Sequence, residues 1–406
     1  MRAYLALFCG VSATVIGGLG ALNYAVDPYQ IHQWDTVEVQ RMRPQREKLS
    51  AWSKTYALAR YRPTIVYIGN SRTEMGLPVP PHQDKPVFNA ALSGASIGDA
   101  ARMAHHAAAM GPLDTVVWGI DAPSFSLDAG NTDLDGALGA PRRDAHLAAL
   151  GSASARYLAE RAWRNAVRGV TVDMTRDTLL LLGGRLVGEC RASLALYGQR
   201  DPHCLDGLMA AKGGASTAIP LRMAEFVRGI GPTDDGMAVF DARVTALCDA
   251  GTRVRLYINP THALMLDTLY WAGRSNAVDA WLAALTAMTE RLRAQACDVR
   301  LVDFSGYNSI TTETVPLAGN GAFMRYYWET SHYRDNVGRM ILARLTGDRA
   351  ALRRERVPDD FGVELTAASL PQHLAKQAAA RTRYHADHRA ECALSQRIAA
   401  AAGRRQ

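Results

Sequence analysis

The chain has 406 residues, of which 48% are hydrophobic and 21% are charged, and its formal net charge is +7. This composition suits a globular α/β protein with one large core, or one core plus an insertion. The positive charge fits contact with acidic polymers or anionic lipid headgroups. The sequence has no zinc-finger spacing, RNA-binding signature or recognition-helix motif, so it does not support a nucleic-acid partner.

The N-terminal segment is almost uncharged from Ala3 to Val26. It is long enough to cross a bilayer as a helix. Arg2 precedes it, which predicts a cytoplasmic N-terminus and places the rest of the chain outside. We therefore predict an uncleaved transmembrane anchor over residues 1–26. A cleaved signal peptide is the alternative, because residues 18–21 resemble a cleavage site.

Beyond the anchor, residues 27–60 read as a polar linker, and strand-like apolar runs then alternate with helical patterns. The predicted strands are 64–68, 86–89, 114–120, 253–258 and 299–304. The predicted helices between and after them are 97–110, 241–249, 276–297 and 336–345. This β-α-β alternation predicts a parallel sheet with helices on both faces, within an α/β domain over 61–345.

The alternation breaks between about 128 and 235, where helical patterns are mixed with glycine-rich stretches. We predict a helical insertion after the third strand. Binding residues of α/β proteins lie on loops at the carboxyl ends of strands. The insertion is therefore either a lid over such a site or an inert elaboration. Residues 346–406 form an arginine-rich helical tail, which packs on the surface or is partly disordered.

None of the six cysteines has the spacing of a metal site, and we predict no metal. Cys190 and Cys204 bracket a loop that contains Gly, Asp and Pro, and they are the predicted disulfide if the domain lies in an oxidising compartment. Cys248 and Cys297 each end a helical stretch before a strand. They can pair if those strands are neighbours, but buried free thiols are the favoured interpretation.

Two distant segments have the residues of one active site. Gly69-Asn70-Ser71 follows the first predicted strand, and Glu329 lies three residues before His332, ahead of an apolar helix. A serine is a poor nucleophile unless a base takes its proton, and the base needs an acid to fix its tautomer. Ser71, His332 and Glu329 can supply these three roles.

These blocks, together with 89–94 after the second strand and 117–121 at the end of the third, resemble the SGNH/GDSL hydrolase superfamily. The resemblance implies a flavodoxin-like three-layer α/β/α fold and cofactor-free acyl chemistry on Ser71, with His332 as base and Glu329 as acid. It implies an oxyanion hole formed by the backbone N–H groups of Ser71 and Gly94.

Asp121 aligns with the oxyanion-hole asparagine of that family. An ionised carboxylate cannot donate a hydrogen bond. Asp121 is therefore protonated, or it holds another residue, or it marks altered chemistry. Asn259 is an alternative amide donor for the oxyanion.

The anchor, the Gly-Asn-Ser-Arg block and the Trp-Glu-x-x-His-Tyr block are also similar to membrane-anchored SGNH-like proteins of bacterial exopolysaccharide and envelope-glycan systems. This resemblance implies a periplasmic domain on the bacterial inner membrane, a polysaccharide or acyl-ester substrate, and a membrane partner that donates acyl groups. The expected function is a serine esterase or O-acyltransferase. The alternative is a non-catalytic glycan-binding or assembly protein that keeps the fold.

Three further residues are candidates for substrate contact. Arg72 either binds an anionic group or pairs with an acid such as Glu74. Trp328 is either part of an aromatic platform for a sugar ring or a core residue. His262, after the fourth strand, either reaches the rim of the site or caps a helix. A nucleotide-binding protein is a weak alternative, because the serine turn has no phosphate-loop lysine and no GxGxxG follows the first strand.

Overall fold

The computed structural model describes residues 1–29, 31–32, 50–80, 85–126, 155–183, 197–317 and 323–403. The chain divides into two compact units. The smaller unit comprises Met1–Tyr61 and Thr132–Arg191, and the larger comprises Arg62–Asn131 and Ala192–Gln406. The predicted insertion is therefore divided between the units, and the arginine-rich tail belongs to the larger one.

The larger unit is built on a six-stranded sheet with the order β2-β1-β3-β4-β5-β8. Its strands are β1 (Ile65–Ile68), β2 (Val87–Asn89), β3 (Thr115–Ile120), β4 (Arg253–Ile258), β5 (Val299–Asp303) and β8 (Val363–Glu364). Strands β1 to β5 are parallel, and β8 is antiparallel to β5. A separate antiparallel hairpin consists of β6 (Tyr327–Glu329) and β7 (His332–Tyr333). The prediction of an α/β fold is confirmed, and the sheet is parallel as predicted except for the antiparallel strand β8, which was not predicted.

The helices of the larger unit lie between and after these strands. They are Ser71–Gly76, Ile97–Met110, Ala122–Phe125, Pro202–Ala211, Ala215–Gly229, Asp234–Asp249, Ala263–Trp271, Ser275–Ala294, Asp335–Thr346, Arg349–Arg354, Leu370–Asp387 and Arg389–Gly403. The local sequence explains where individual helices begin. Ser96 and Asp99, for example, form a reciprocal capping box at the start of Ile97–Met110, which satisfies backbone N–H groups that the helix itself leaves unpaired.

The parallel strands bring their carboxyl ends to one edge of the sheet. Strand β3 is a continuous apolar run that is almost fully buried, as expected for a strand inside a parallel sheet. It pairs with β1 on one side and β4 on the other. Asp121 and Asn259 directly follow β3 and β4, and Ser71 is the third residue after β1, so the sheet places all three at the same edge.

A disulfide joins Cys248 and Cys297, whose Cα atoms are 5.3 Å apart. The preferred expectation of free thiols at these positions was wrong. Each cysteine lies just before β4 or β5, and Val254 of β4 pairs with Val299 of β5. The sheet therefore holds the two residues close together. Cys204 is also disulfide-bonded, but Cys190, its predicted partner, lies outside the described residues.

Removing the Cys248–Cys297 disulfide is expected to lower the free energy of unfolding by about 2–4 kcal/mol, because the bond restricts the unfolded chain over a 49-residue separation. Urea unfolding of the full chain in detergent, wild type beside Cys248→Ser/Cys297→Ser, measures the effect. The variant is preferable to a reductant, which would also attack the bond at Cys204. Equal stability of the two proteins would contradict the prediction.

The smaller unit is helical in its described part. Its helices are Arg2–Val26, Ser50–Tyr61, Ala155–Gly169 and Val172–Leu182. The first has a mean hydropathy of 2.0 over its most apolar window, and this window is not buried inside the protein. Of the helices in the described ranges, it is the one long and apolar enough to cross a membrane. Its length and composition agree with the predicted anchor.

Candidate active site

The turn that presents Ser71 requires a glycine before it. Gly69 has a φ of +149°, in the region that favours glycine. A Cβ atom at this position would lie 2.4 Å from Thr73 Oγ1 and 2.8 Å from the Gly119 carbonyl oxygen. Asn70 then caps the helix Ser71–Gly76, because its side chain accepts a hydrogen bond from the Arg72 N–H. The chain thus turns sharply from β1 into the helix, with Ser71 as the first helical residue.

The structure brings Ser71, His332 and Glu329 into one hydrogen-bonded chain. Ser71 Oγ lies 2.8 Å from His332 Nε2. On the other side of the imidazole, Nδ1 is hydrogen-bonded to Glu329 Oε1. A carboxylate only accepts hydrogen bonds, so Nδ1 carries the proton and Nε2 is left to accept from the serine hydroxyl. This is the arrangement in which a histidine can act as the base for a serine.

The hairpin of β6 and β7 explains the short spacing between acid and base. Glu329 and His332 are paired across the two antiparallel strands, so their side chains are neighbours despite being three residues apart in sequence. The other carboxylate oxygen of Glu329 accepts the Ser331 N–H at 2.6 Å. Both oxygens of the acid are therefore engaged, and its longer side chain, compared with aspartate, is held in place.

Glu329 is only 2% exposed, yet its surroundings favour the ionised form. Burial raises the pKa of Glu329, but His332, Arg222 and the Ser331 N–H together outweigh burial and hold that pKa below its usual range. Arg222 Nε lies 3.7 Å from Glu329 Oε1. The acid is therefore negative across the neutral pH range, as required to orient an imidazole and stabilise its protonated form.

Arg72 connects the serine helix to the histidine hairpin. Its Nε donates to the Ser331 carbonyl at 3.0 Å, and its Nη2 lies 3.0 Å from Ser331 Oγ. Its Nη1 is 2.5 Å from Asp121 Oδ2, and both side chains are buried. The expected acidic partner, Glu74, instead pairs with Arg200 at 2.9 Å. All three guanidinium nitrogens of Arg72 are therefore engaged by protein groups, so Arg72 holds the serine helix, the histidine hairpin and Asp121 together.

Asp121 is an acceptor in this structure. Its Oδ2 receives hydrogen bonds from Asn70 Nδ2 at 2.6 Å and Asn259 Nδ2 at 3.4 Å, besides the ion pair with Arg72, and its Oδ1 receives the Ser124 N–H at 3.2 Å. Of the three alternatives considered for Asp121, the structure corresponds to the one in which it holds other residues. Asn259 Nδ2 also bonds to the Ile120 carbonyl, so this amide is directed inward and away from an oxyanion.

A network of buried hydroxyl groups is hydrogen-bonded to Thr73 in the helix Ser71–Gly76. Thr73 Oγ1 is 2.9 Å from the Tyr257 hydroxyl, which is 3.1 Å from the Tyr333 hydroxyl. Burial raises the pKa of Tyr257 and of Tyr333, so both keep their protons for hydrogen bonding. Tyr333 directly follows His332, and the network therefore links the hairpin that carries His332 to the helix that begins with Ser71.

A cavity of about 210 Å³ opens over the hydrogen-bonded chain. Ser71, His332 and Gly94 all line it, and Gly94 has a φ of +70°. One wall is a face of the helix Ala215–Gly229, which lies inside the predicted insertion. That face consists of residues with helical spacing: Arg222, Glu225, Phe226 and Gly229.

Arg222 and Phe226 were not among the site residues predicted from the sequence. Phe226 is buried, and the Arg72 guanidinium lies 5.7 Å from the centre of its ring. The i, i+3, i+4, i+7 spacing of the four residues on this helix face could have indicated that they lie together. The helix itself was hard to recognise in the sequence, because Gly213 and Gly214 precede it and Pro220 interrupts its apolar periodicity.

Two predicted substrate contacts are buried elsewhere. Trp328 is 4% exposed, and its Nε1 donates to Asp206 Oδ1 at 3.0 Å. His262 has no exposed surface; its Nδ1 caps the helix Ala263–Trp271 and its Nε2 contacts the Glu313 carbonyl. Neither lines the cavity over Ser71. Of the alternatives stated for each residue, these positions correspond to a core residue for Trp328 and a helix cap for His262.

The stability of the protein is expected to depend on His262 at acidic pH. Burial lowers the pKa of His262 to about 4. The unfolded chain, in which a histidine titrates near 6.5, therefore binds more protons between these two values. The free energy of unfolding should fall by about 2–3 kcal/mol as pH decreases from about 7 to about 4.5. Urea unfolding of wild type and His262→Gln at both pH values tests this, with exposed His203→Gln as the matched control. The same loss of stability in all three proteins would contradict it.

A group of side chains that could hold a metal ion lies away from this cavity. Asp267, His385 and Cys392 are the group among the described residues whose ligand atoms all lie within 4.8 Å of one another. None of the three lines the cavity over Ser71.

In comparisons with known proteins, no protein-family model and no curated protein matches this chain.

Proposed function

We propose that this chain is a membrane-anchored serine esterase or O-acyltransferase of the bacterial envelope, acting on an envelope glycan or exopolysaccharide. The observation that carries the proposal is the hydrogen bond of Ser71 Oγ with His332 Nε2 at 2.8 Å, with Glu329 on the other side of the imidazole. The strand order β2-β1-β3-β4-β5, common among flavodoxin-like folds, supports the resemblance to the SGNH superfamily.

In the proposed reaction, His332 Nε2 removes the Ser71 proton as Oγ attacks the carbonyl carbon of an acyl ester. The negative charge on the carbonyl oxygen is held by the N–H groups of Ser71 and Gly94. The C–O bond to the leaving alcohol then breaks, and His332 returns the proton to that alcohol. The acyl group is now on Ser71. In the second half of the reaction, water or a sugar hydroxyl, deprotonated by His332, attacks the acyl carbon. The bond between that carbon and Ser71 Oγ then breaks, and His332 returns the proton to Ser71.

The size of the cavity supports a small acyl group. At about 210 Å³ it is smaller than the 300–1,000 Å³ typical of sites that enclose a whole ligand. An acetyl ester fits such a space, and the rest of a glycan would then lie outside it. The Cys248–Cys297 disulfide supports a location beyond the cytoplasm, since disulfides persist in oxidising compartments such as the periplasm.

A fluorophosphonate probe, which reacts with activated serines, tests the proposal. The full chain in detergent should be labelled, Ser71→Ala should not, and exposed Ser309→Ala should be labelled like wild type. Incubation with p-nitrophenyl acetate and an oligosaccharide then separates the two activities by mass spectrometry. Acetylated oligosaccharide indicates a transferase, and free acetate alone indicates an esterase.

The second candidate is a non-catalytic glycan-binding or assembly protein. It is favoured by one observation: an acceptor, Asp121, occupies the position where the related family has an oxyanion donor. Absence of both labelling and acetate turnover in a folded sample supports this candidate and contradicts the enzyme.

A further inference from the structure

The helical hairpin of the smaller unit, Ala155–Gly169 followed by Val172–Leu182, exposes apolar stripes on both helices. On the first helix and the turn, Trp163, Val167 and Val170 have the spacing i, i+4, i+7, and Trp163 is 71% exposed. On the second, the exposed residues are Val172 (85%), Leu179 (56%) and Leu182 (55%). Large apolar residues that recur along one helix face in this way indicate a surface that is covered by something apolar.

The turn of the hairpin is fixed to the N-terminal helix. Asn23 has no exposed surface, and its Nδ2 donates to the Gly169 carbonyl at 2.7 Å and to Thr175 Oγ1 at 2.9 Å. Val170 packs so closely that a Cβ atom on Gly20 would lie 3.2 Å from its side chain. The turn of the hairpin therefore lies beside Gly20 and Asn23 of the helix Arg2–Val26.

In the proposed membrane span, this part of the helix lies at the outer surface of the bilayer. If Arg2 lies at the cytoplasmic boundary, about 20 residues of helix cross the hydrocarbon layer of about 30 Å, which then ends near Leu22. Gly20 and Asn23 lie on either side of that level. The turn of the hairpin is thus at the boundary between acyl chains and headgroups.

The apolar stripes are also continuous with the exposed face of the anchor. A groove of about 610 Å³ lies between Leu19 of the anchor and the hairpin residues Val170, Val172 and Leu179. Arg176, which is exposed, lies beside the same groove. A long arginine side chain at an apolar boundary can bury its stem and direct its charge to a phosphate.

We infer that this hairpin is an interfacial membrane element, whose stripes contact the acyl chains of the outer leaflet beside the N-terminal helix. The inference rests on the proposed membrane span. Helices of this kind lie in the plane of the interface, with an apolar face in the acyl boundary and cationic residues among the headgroups. The hairpin gives the anchor a second contact with the bilayer.

The test uses the full chain with a photoreactive benzophenone amino acid at one position at a time: Val172, Leu179, Phe8 in the anchor, or exposed Asp359 in the larger unit. Each protein is reconstituted in vesicles of phosphatidylethanolamine and phosphatidylglycerol, irradiated and analysed for lipid adducts. We expect lipid adducts at Val172, Leu179 and Phe8, and none at Asp359. Two hairpin positions keep the test valid if one variant misfolds.

Adducts at Phe8 without adducts at Val172 and Leu179 would overturn the inference and leave the span intact. Absence of adducts at Phe8 would overturn both. The same variants are also irradiated in native membranes. Adducts between the hairpin and another protein would show that a protein partner covers the stripes, and this result would overturn the inference. Fluorophosphonate labelling of Ser71 in the same samples reports on the proposed activity separately.

Discussion

Replacing His332 with alanine is expected to slow the acylation of Ser71 by about 10³–10⁶-fold without unfolding the protein. The imidazole is the group in hydrogen-bond contact with Ser71 Oγ, and the hydroxyl without it has no base. The measurement is the second-order rate constant of fluorophosphonate labelling, with circular dichroism to check the fold. Exposed His203→Ala is the matched control and should react at the wild-type rate.

Glu329→Gln should slow the same reaction by about 10²–10⁴-fold, because an amide in place of the carboxylate stabilises the wrong imidazole tautomer. The double variant His332→Ala/Glu329→Gln should react no more slowly than His332→Ala, since the acid acts only through the base. A wild-type rate for Glu329→Gln would show that Glu329 does not orient His332. Additive losses in the double variant would show that Glu329 acts on the serine by another route.

The second large effect concerns stability. Arg72→Met is expected to lower the free energy of unfolding by about 3–5 kcal/mol, because it leaves the buried Asp121 carboxylate without its cation. Asp121→Asn should also be destabilising, since it leaves the buried guanidinium without its counter-ion. The double variant Arg72→Met/Asp121→Asn should lose less than the sum of the two, because it leaves neither charge alone. Urea unfolding of wild type, the two single variants and the double variant gives the interaction free energy between the two charges.

The matched control for Arg72 is Arg291→Ala, which breaks a surface pair with Asp241 in the same unit. The two side chains are 45% and 37% exposed, so water screens the interaction and the expected cost is below about 1 kcal/mol. Comparable losses at Arg72 and Arg291 would contradict the structural role assigned to the buried pair. Additive single effects at Arg72 and Asp121 would show that the two charges do not interact.

The central strands and the serine turn could be predicted because their signals are local. Strand β3 is a continuous apolar run, and Gly69-Asn70-Ser71 combines a residue for positive φ with a helix cap. The mutual approach of Ser71 and the Glu329–His332 pair was inferred by resemblance, because nothing in either segment alone encodes the distance between them.

Other features depend on contacts that a sequence pattern does not contain. The Cys248–Cys297 bond follows from the adjacency of β4 and β5, so the pairing could be stated only conditionally. The choice of Asp121 over Glu74 as the partner of Arg72 depends on which carboxylate reaches the guanidinium across the sheet edge. Strand β8 has two residues, too few to show any periodicity.

The arrangement of the site also constrains its biosynthesis. Ser71 and His332 are separated by 261 residues of chain, and most of the sheet lies between them in sequence. While the chain is being made, a segment that already contains Ser71 has no base until the hairpin of β6 and β7 has emerged from the ribosome. A chain interrupted before that point has a serine with ordinary reactivity. In the proposed enzyme, Ser71 therefore becomes active only after nearly the whole α/β unit has been made.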